Sequence, residues 1–295
     1  MISSRTMFAQ QLVNGLMLGG AYALVAIGYT LIFGVLNLLH LAHGEVFMVG
    51  AYVGLVLALA GFPAWATLVG AMLAAATLGV LVERVAFRPV RNRGSHVTPL
   101  ITTIAVGLIL QHAAVKLFGA EPVAFPAPFA SASLDLGPVT LSTLQVLILG
   151  TSVALMALLE VFLRATPTGM AIRATAENQT VAGLMGINVS LAIVVTFAIA
   201  SALAGAAGVL LAWNFTALSP FFGVKVGLKG LAIMLLGGLG NVTGAMVGGL
   251  IIGVVEVMSV AYLASSYRDA FAFAVMILIL LVRPTGLFGA RLQTG

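Results

Sequence analysis

The 295 residues include no cysteine, which excludes disulfides and thiolate metal sites. Charge is scarce as well. Asp, Glu, Lys and Arg make up 7% of the chain, against about 25% in an ordinary soluble domain, too little to cover a water-facing surface. The longest polar stretch falls far short of the ~50 residues of a small domain, so residues 1–295 read as a single transmembrane domain. Nucleotide signatures are missing. There is no Gly-x-x-x-x-Gly-Lys-Ser/Thr loop, and Gly238-x-Gly240 has neither a strand before it nor an acidic residue at the right distance after it. No nucleophile, base and orienting group come together, so no catalytic residue is assigned and the chain does not read as an enzyme. The net charge of +5 lies in loops and bears on membrane orientation, not on nucleic acid. The first apolar run has no small-residue cleavage site at the usual place and reads as retained.

What is abundant is apolar sequence, 61% of residues. Residues 8–36 form one run, ~43 Å of helix against a ~30 Å hydrocarbon core, so it either tilts or breaks near Gly28 or Gly34. The polar interruption NLLHLAHGE (37–45) follows. Further spans are expected at 46–59, 64–82, 97–118, 140–163 and 189–212. Residues 226–258 are again too long for one straight span and contain GGLGNVTG (237–244), which reads as two helices meeting at a glycine-rich break. A last span, 270–282, is stopped by Arg283-Pro284. The expected fold is all-α: a polytopic membrane protein with about 8–10 transmembrane helices, some broken.

Arginines set the orientation. Arg84, Arg88, Arg91 and Arg93 lie in one loop, Arg164 and Arg173 in another, and Arg283 and Arg291 follow the last span. All three groups are cytoplasmic together only if 226–258 crosses twice, which also puts Trp65 and Trp213 at the outer interface. The same count places the amino terminus outside with Arg5, against the rule, unless 37–45 is re-entrant. Over-long runs with an interruption occur in both the first and the last third, and paired broken helices often mark a transport site at mid-membrane.

Between two spans lies TPTGMAIRATAENQTVAGLMGIN (166–188), too short and too polar to cross. Pro167 and Gly169 stop the preceding helix. One short surface helix follows, with Met170, Ala174, Val181 and Leu184 or Met185 on one face and Arg173, Glu177 and Asn178 on the other. Gly186 ends it. Within the spans, Gly15 and Gly19, Gly50 and Gly54, Gly240, Gly244 and Gly248, and Gly249 and Gly253 stand four apart, a spacing that lets helix backbones approach in lipid. Most of these read as ordinary packing; the density from Gly237 to Gly253 suggests a subunit interface or a moving helix. Among charges, Glu160 reads as an i,i+4 partner of Arg164. Lys225 and Lys229 read as reaching for the outer interface, and Glu256 as a charge near a span centre. Asn37, His40, His43 and Glu45 cluster in the polar interruption. His40-x-x-His43 could ligate a metal on a helix, but a metal has no role here and none is assigned.

VLNLLHLAHGEVFMVGAYV near the start, the 166–188 segment, KGLAIMLLGGLGNVTGAMVGGLIIG and the ending RPTGLFG together resemble the LivH-type permeases of the branched-chain amino acid ABC importer family, over nearly the whole chain. The resemblance implies a permease subunit in a bacterial or archaeal inner membrane, importing branched-chain or related amino acids. It also implies a second permease subunit, two ATPase subunits that bind ATP in place of any cofactor here, and a periplasmic or extracellular substrate-binding protein. The 166–188 segment would be a cytoplasmic coupling helix docked in an ATPase groove, through Gly169, Arg173, Ala174, Glu177, Asn178, Ala182, Leu184, Gly186 and Ile187. Asn37, His40, His43, Glu45, Gly238, Gly240, Asn241 and Thr243 become candidates for the pathway or the subunit interface. Mostly aliphatic substrates suit a pathway poor in fixed charge. Related systems carry urea or short amides, and these remain an alternative. A proton- or sodium-driven secondary transporter would need a titratable relay in the spans; Glu160, Glu256 and His112 are too few and too scattered for one. A purely structural scaffold leaves the coupling segment unexplained.

Overall fold

The computed structural model describes residues 4–91, 97–129, 132–135, 139–263 and 265–289; Arg93 and Arg291 lie outside them. In chain order the helices are α1 (Ser4–Leu36), α2 (His43–Leu59), α3 (Ala64–Val82), α4 (Val97–Phe118), α5 (Thr143–Ala165), α6 (Pro167–Glu177), α7 (Gln179–Leu184), α8 (Val189–Phe215), α9 (Phe222–Gly237), α10 (Val242–Tyr262) and α11 (Arg268–Val282). A π-helical turn, Glu83–Phe87, prolongs α3. Seven helical segments are long and apolar enough to cross a membrane. α2 is a shorter apolar helix of 17 residues, and α9 has 16; with the seven, α11 counted among them, they make nine membrane-embedded helices among the described residues. The only strands described are short: β1 (Val123–Ala124) pairs antiparallel with β4 (Ala217–Leu218), and β2 (Ser133–Asp135) with β3 (Thr140–Ser142).

Helix α1 is unbroken. Its 33 residues extend ~50 Å, and neither Gly28 nor Gly34 interrupts it, contrary to one reading of the sequence. The reason lies in packing. α1 runs through the middle of the bundle against α10, α8, α9 and α5, and its small residues are where other elements come close. A Cβ on Gly19 would lie 2.7 Å from the Gly249 carbonyl oxygen, and one on Gly15 would lie 2.6 Å from the Val254 Cα. Gly50 is as tight against Gly205, and Gly208 against the Phe47 carbonyl. Lipid is as apolar as a leucine side chain, so helices gain by close backbone approach and not by leaving the solvent. Gly249 and Gly253 belong to the same seam, so their neighbours are in this chain.

The helix directions follow from these contacts. α1 and α10 are antiparallel, Gly15 facing Val254 and Ala23 facing Gly249; α3 and α8 are antiparallel, Gly79 facing Ser201 and Ala75 facing Gly205. One end of the bundle therefore gathers Arg84, Arg88, Arg91, Arg164, Arg173 and Arg283. The other gathers Trp65, Trp213 and the strands. The start of α1 is at the tryptophan end, where the Gln10 side chain exchanges two hydrogen bonds of 2.9 Å with the Thr140 backbone. Single cysteines test this layout in a chain that has none. Glu121→Cys should react with an impermeant reagent in intact cells, and Arg88→Cys only after permeabilisation; the reverse pattern would invert the bundle.

The two short helices complete the frame. Residues 37–42 turn back into the bundle, so α2 starts beside α1 and not at its end. The His43 ring packs on Gly28, and the Gly44 N–H donates to the Tyr29 hydroxyl at 3.1 Å. Gly28 lies two turns before the end of α1, ~12 Å inside the arginine-rich end. α9 begins at a similar depth: Gly44 packs on Gly223 and Gly227, and the Phe47 and Phe222 rings are 5.2 Å apart. The starts of α2 and α9 thus meet inside the bundle. α2 continues to the tryptophan end and α9 to the arginine-rich end.

Candidate functional site

The 166–188 segment forms two helices, not the one expected. The Thr166 hydroxyl accepts from the Gly169 N–H at 3.0 Å, and Pro167 occupies the first turn of α6, where its missing N–H costs nothing. Gly169 is therefore inside α6 and does not end α5. It is buried where α6 folds back on α5, and a Cβ there would lie 2.6 Å from the Leu163 Cα. Asn178 divides the segment: its backbone is extended and its side chain accepts from the Thr180 and Val181 N–H groups at 3.0 Å, capping α7. Gly186 adopts φ +86°, the left-handed conformation expected for the residue closing a helix, and the Asn188 side chain then caps α8 at 3.0 Å.

The burial pattern also differs from the simple two-faced reading. Gly169, Ile172, Thr175 and Ala182 face the bundle, and Ile187 is half-buried. Arg173, Ala174, Glu177, Asn178 and Gly186 are exposed. So are Met170, Val181, Leu184 and Met185, the last two at 83% and 78%. These four apolar side chains point away from the protein, beside the charged ones, while Ile172 and Ala182 anchor the segment to the bundle.

A cleft of about 260 Å³ separates α6 from the glycine-rich break. It is lined by Arg164, Arg173 and Ala176 on one side and by Gly34, Gly240, Asn241 and Thr243 on the other. Four sequence candidates are thereby brought together: Arg173, Gly240, Asn241 and Thr243. Gly238 is not in the cleft. At φ +106° it carries the chain between α9 and α10, and a Cβ would lie 2.6 Å from the Gly289 nitrogen. Leu287 and Phe288 are pinned there: their N–H groups donate to the Leu236 and Gly237 carbonyls (2.8 and 3.0 Å), and the Asn241 amide donates to the Phe288 carbonyl (3.1 Å). Asn241 also caps α10, accepting from the Gly244 N–H at 2.8 Å. Gly240 is required for its φ of +77° and not for crowding, since a Cβ would meet only Gly34 at 3.5 Å. Sequence reasoning missed Gln179. Its side-chain amide donates to the Val35 carbonyl at 2.6 Å and ties α7 to the last turn of α1.

From that turn the chain leads to the polar interruption. Asn37 ends α1 in the left-handed region, φ +51°, which asparagine tolerates; it is exposed at the arginine-rich end. His40 and His43 are buried with ring centroids 6.0 Å apart. His40 is enclosed by Phe87 and Phe197, and His43 stands edge-on to Tyr29 at 4.7 Å. Glu45 lies where α2 and α9 meet, 6% exposed, on the wall of a cavity of about 240 Å³. Tyr29, Thr103 and Gln111 supply further polar groups, and Leu41, Ile104, Leu108, Val224, Leu228 and Leu231 the apolar ones. Tyr29 and Thr103 left no signal in the sequence; Gln111, a lone amide in an apolar run, did.

A second group of buried charges joins α1, α9, α10 and α11. Glu256 accepts from the Tyr22 hydroxyl at 3.1 Å and from Lys229 at 2.9 Å, and pairs with Arg268; Lys229 also pairs with Asp269 at 2.7 Å. Lys229 does not reach the outer interface as expected, because these carboxylates hold it inside. Glu160 pairs with Arg164 as the spacing indicated. It is at the opposite end from Glu256, and His112 is exposed, so the three make no continuous relay.

The arrangement is a bundle of apolar helices with a surface segment tied to its central helix. A family profile described as the permease component of the branched-chain amino acid transport system matches residues 11–280. The chain belongs to this permease family. The high-affinity branched-chain amino acid permease protein LivH of Salmonella typhimurium is 39% identical, with 96% of each chain covered. BraD of Pseudomonas aeruginosa is 37% identical over the same shares. A probable LivH of Methanocaldococcus jannaschii is 31% identical, covering 90% of this chain and 88% of its own. Among solved structures, PsaBC from Streptococcus pneumoniae, in complex with a Fab, matches with a TM-score of 0.50 over 93% of this chain and 92% of its own. At 13% identity that likeness shows the fold alone. This permease is thus a multi-pass inner-membrane transport component and not an enzyme.

Proposed function

We propose that this permease forms the pathway by which an ABC importer brings branched-chain amino acids into the cytoplasm. The arginine-rich end faces inward. A second permease subunit completes the membrane unit, two ATPase subunits bind beneath it, and a substrate-binding protein delivers the amino acid at the tryptophan end. The observation that carries the reading is the exposed set Met170, Val181, Leu184 and Met185 on α6 and α7, beside Arg173 and Glu177. Apolar anchors with a few orienting charges are what a helix offers to a groove in another protein. The Gln179–Val35 bond and the cleft at Gly240–Thr243 give ATPase closure a path to α1 and α10. The relatives' names support the substrate.

Two variants test the coupling role. Glu177→Lys reverses an exposed charge and leaves the spans intact. Gly186→Val places a β-branched residue at positive φ, at about 1–2 kcal/mol of backbone strain. Both are expected to reach the membrane, to lose uptake, and to release the ATPase on purification or lose transport-stimulated ATP hydrolysis. If no ATPase accompanies the unmodified permease, and uptake persists on ion gradients after ATP depletion, the importer reading fails. Uptake of urea or short amides in place of leucine would reassign the substrate.

A further inference from the structure

We infer that Glu45 is the point in the pathway that receives the ammonium group of the passing amino acid. The inference rests on the import reading above and names a residue for it. One Glu45 oxygen, Oε2, is fully buried against Gly223 and has no hydrogen-bond partner among the described residues. No Lys, Arg or His of the described chain forms an ion pair with this carboxylate. A charge at such depth costs on the order of 2.5–3.5 kcal/mol on insertion scales, and such groups are usually paired or face a watery path. The other buried acids in the bundle are paired: Glu83 with Arg91, and Glu256 with Lys229 and Arg268. Glu45 faces a cavity otherwise lined by leucine, isoleucine, valine and glycine with Tyr29, Thr103 and Gln111.

The backbone around it adds the opposite sign. The starts of α2 and α9 meet here, with Glu45 on one and Gly223 and Val224 on the other lining the cavity. Helix amino termini carry partial positive charge, and broken helices place them at transport sites. One carboxylate beside two helix starts complements a zwitterion, and the aliphatic wall complements a branched side chain. The carboxylate offsets the cost of taking an ammonium group out of water at the depth where α2 and α9 begin; without it the passing substrate meets a higher barrier.

The test uses the complete importer, permeases, ATPases and binding protein, reconstituted in vesicles. Glu45→Gln keeps shape and removes charge. It should lower the maximal rate of leucine uptake about tenfold or more, the size of one hydrogen bond to a charged group. KM should stay unchanged, because the binding protein sets it, and all subunits should remain together. Glu45→Asp should recover part of the rate. A second measurement needs no variant: 3-methylbutylamine added inside the vesicles should inhibit uptake, whereas 3-methylbutanol, which lacks the charge, should not. Uptake by Glu45→Gln at the unmodified rate would overturn the inference, as would equal effects of amine and alcohol. Loss of the second permease subunit from Glu45→Gln would instead make the carboxylate an intersubunit ion-pair partner, and would also overturn it. Failure of the unmodified importer to take up leucine at all is a separate result and counts against the import reading.

Discussion

Glu256→Ala is expected to destabilise the permease by about 3–5 kcal/mol, the usual consequence of removing one member of a buried ion pair. Glu256 is fully buried and holds three groups: the Tyr22 hydroxyl, Lys229 and Arg268. Its loss leaves Lys229, whose side chain is 10% exposed, with Asp269 at the edge of the bundle as its one counter-charge and the Tyr22 hydroxyl, to which it donates at 3.3 Å, as a neutral partner. The damage should centre on α11. Ala272 is its only buried residue among those described, so Arg268 and Asp269 are its main polar attachments to α9 and α10. Unfolding in detergent should show the loss, and proteolysis should cut first at the turn before α11. Removing both charges, as Glu256→Met with Lys229→Met, should recover part of the stability. Arg268 and Asp269 are 33% and 59% exposed at the side chain and can turn to water. Glu160→Ala is the control: its pair with Arg164 is largely exposed and should contribute no more than ~1 kcal/mol. If Glu256→Ala behaves like Glu160→Ala, the network is no structural fastening.

Gly253→Val should be comparably severe, by overpacking. A Cβ on Gly253 would collide with the Gly19 backbone and lie 2.6 Å from the Gly15 carbonyl oxygen. None of these is the end of a flexible side chain, so α1 and α10 must separate. Overpacking of a tight core costs about 1–3 kcal/mol and occasionally more, and here it acts on the seam around which the bundle is built. The expected result is little folded protein in the membrane. Gly150→Val, on α5, adds the same side chain where nothing lies within 4 Å and should leave yield and uptake unchanged. Equal yields for the two variants would mean that the α1–α10 crossing does not need its glycines.

The two experiments fall on opposite sides of what could be read in advance. Four-residue glycine spacing marked Gly15, Gly19, Gly249 and Gly253 as close-packing positions, because only small residues let backbones touch in lipid. Nothing in the spacing said which pairs meet, and a subunit interface fitted Gly249 and Gly253 as well as α1 does. Lys229 was misread for a related reason. A lysine near a span end has a generic route to the interface, and its partners Glu256 and Asp269 are 27 and 40 positions further along the chain.

By itself the sequence determined the class of the protein, the position of the spans, the end that collects arginine, and the surface segment at 166–188. Each follows from local composition: long apolar runs must cross, arginines stay on one side, and a short polar stretch between spans must lie outside them. It also placed the helix-closing turn at Gly186, since left-handed backbone favours glycine. The tertiary structure alone decided that α1 runs unbroken past Gly28 and Gly34, that Asn178 splits the surface segment in two, and that α2 and α9 begin inside the bundle with Glu45 beside a cavity. The physical reason is that lipid and protein interior are both apolar. Along a span, hydrophobicity does not distinguish the face that packs from the face that meets lipid, so depth, neighbours and the fate of each buried charge are settled only when the helices pack.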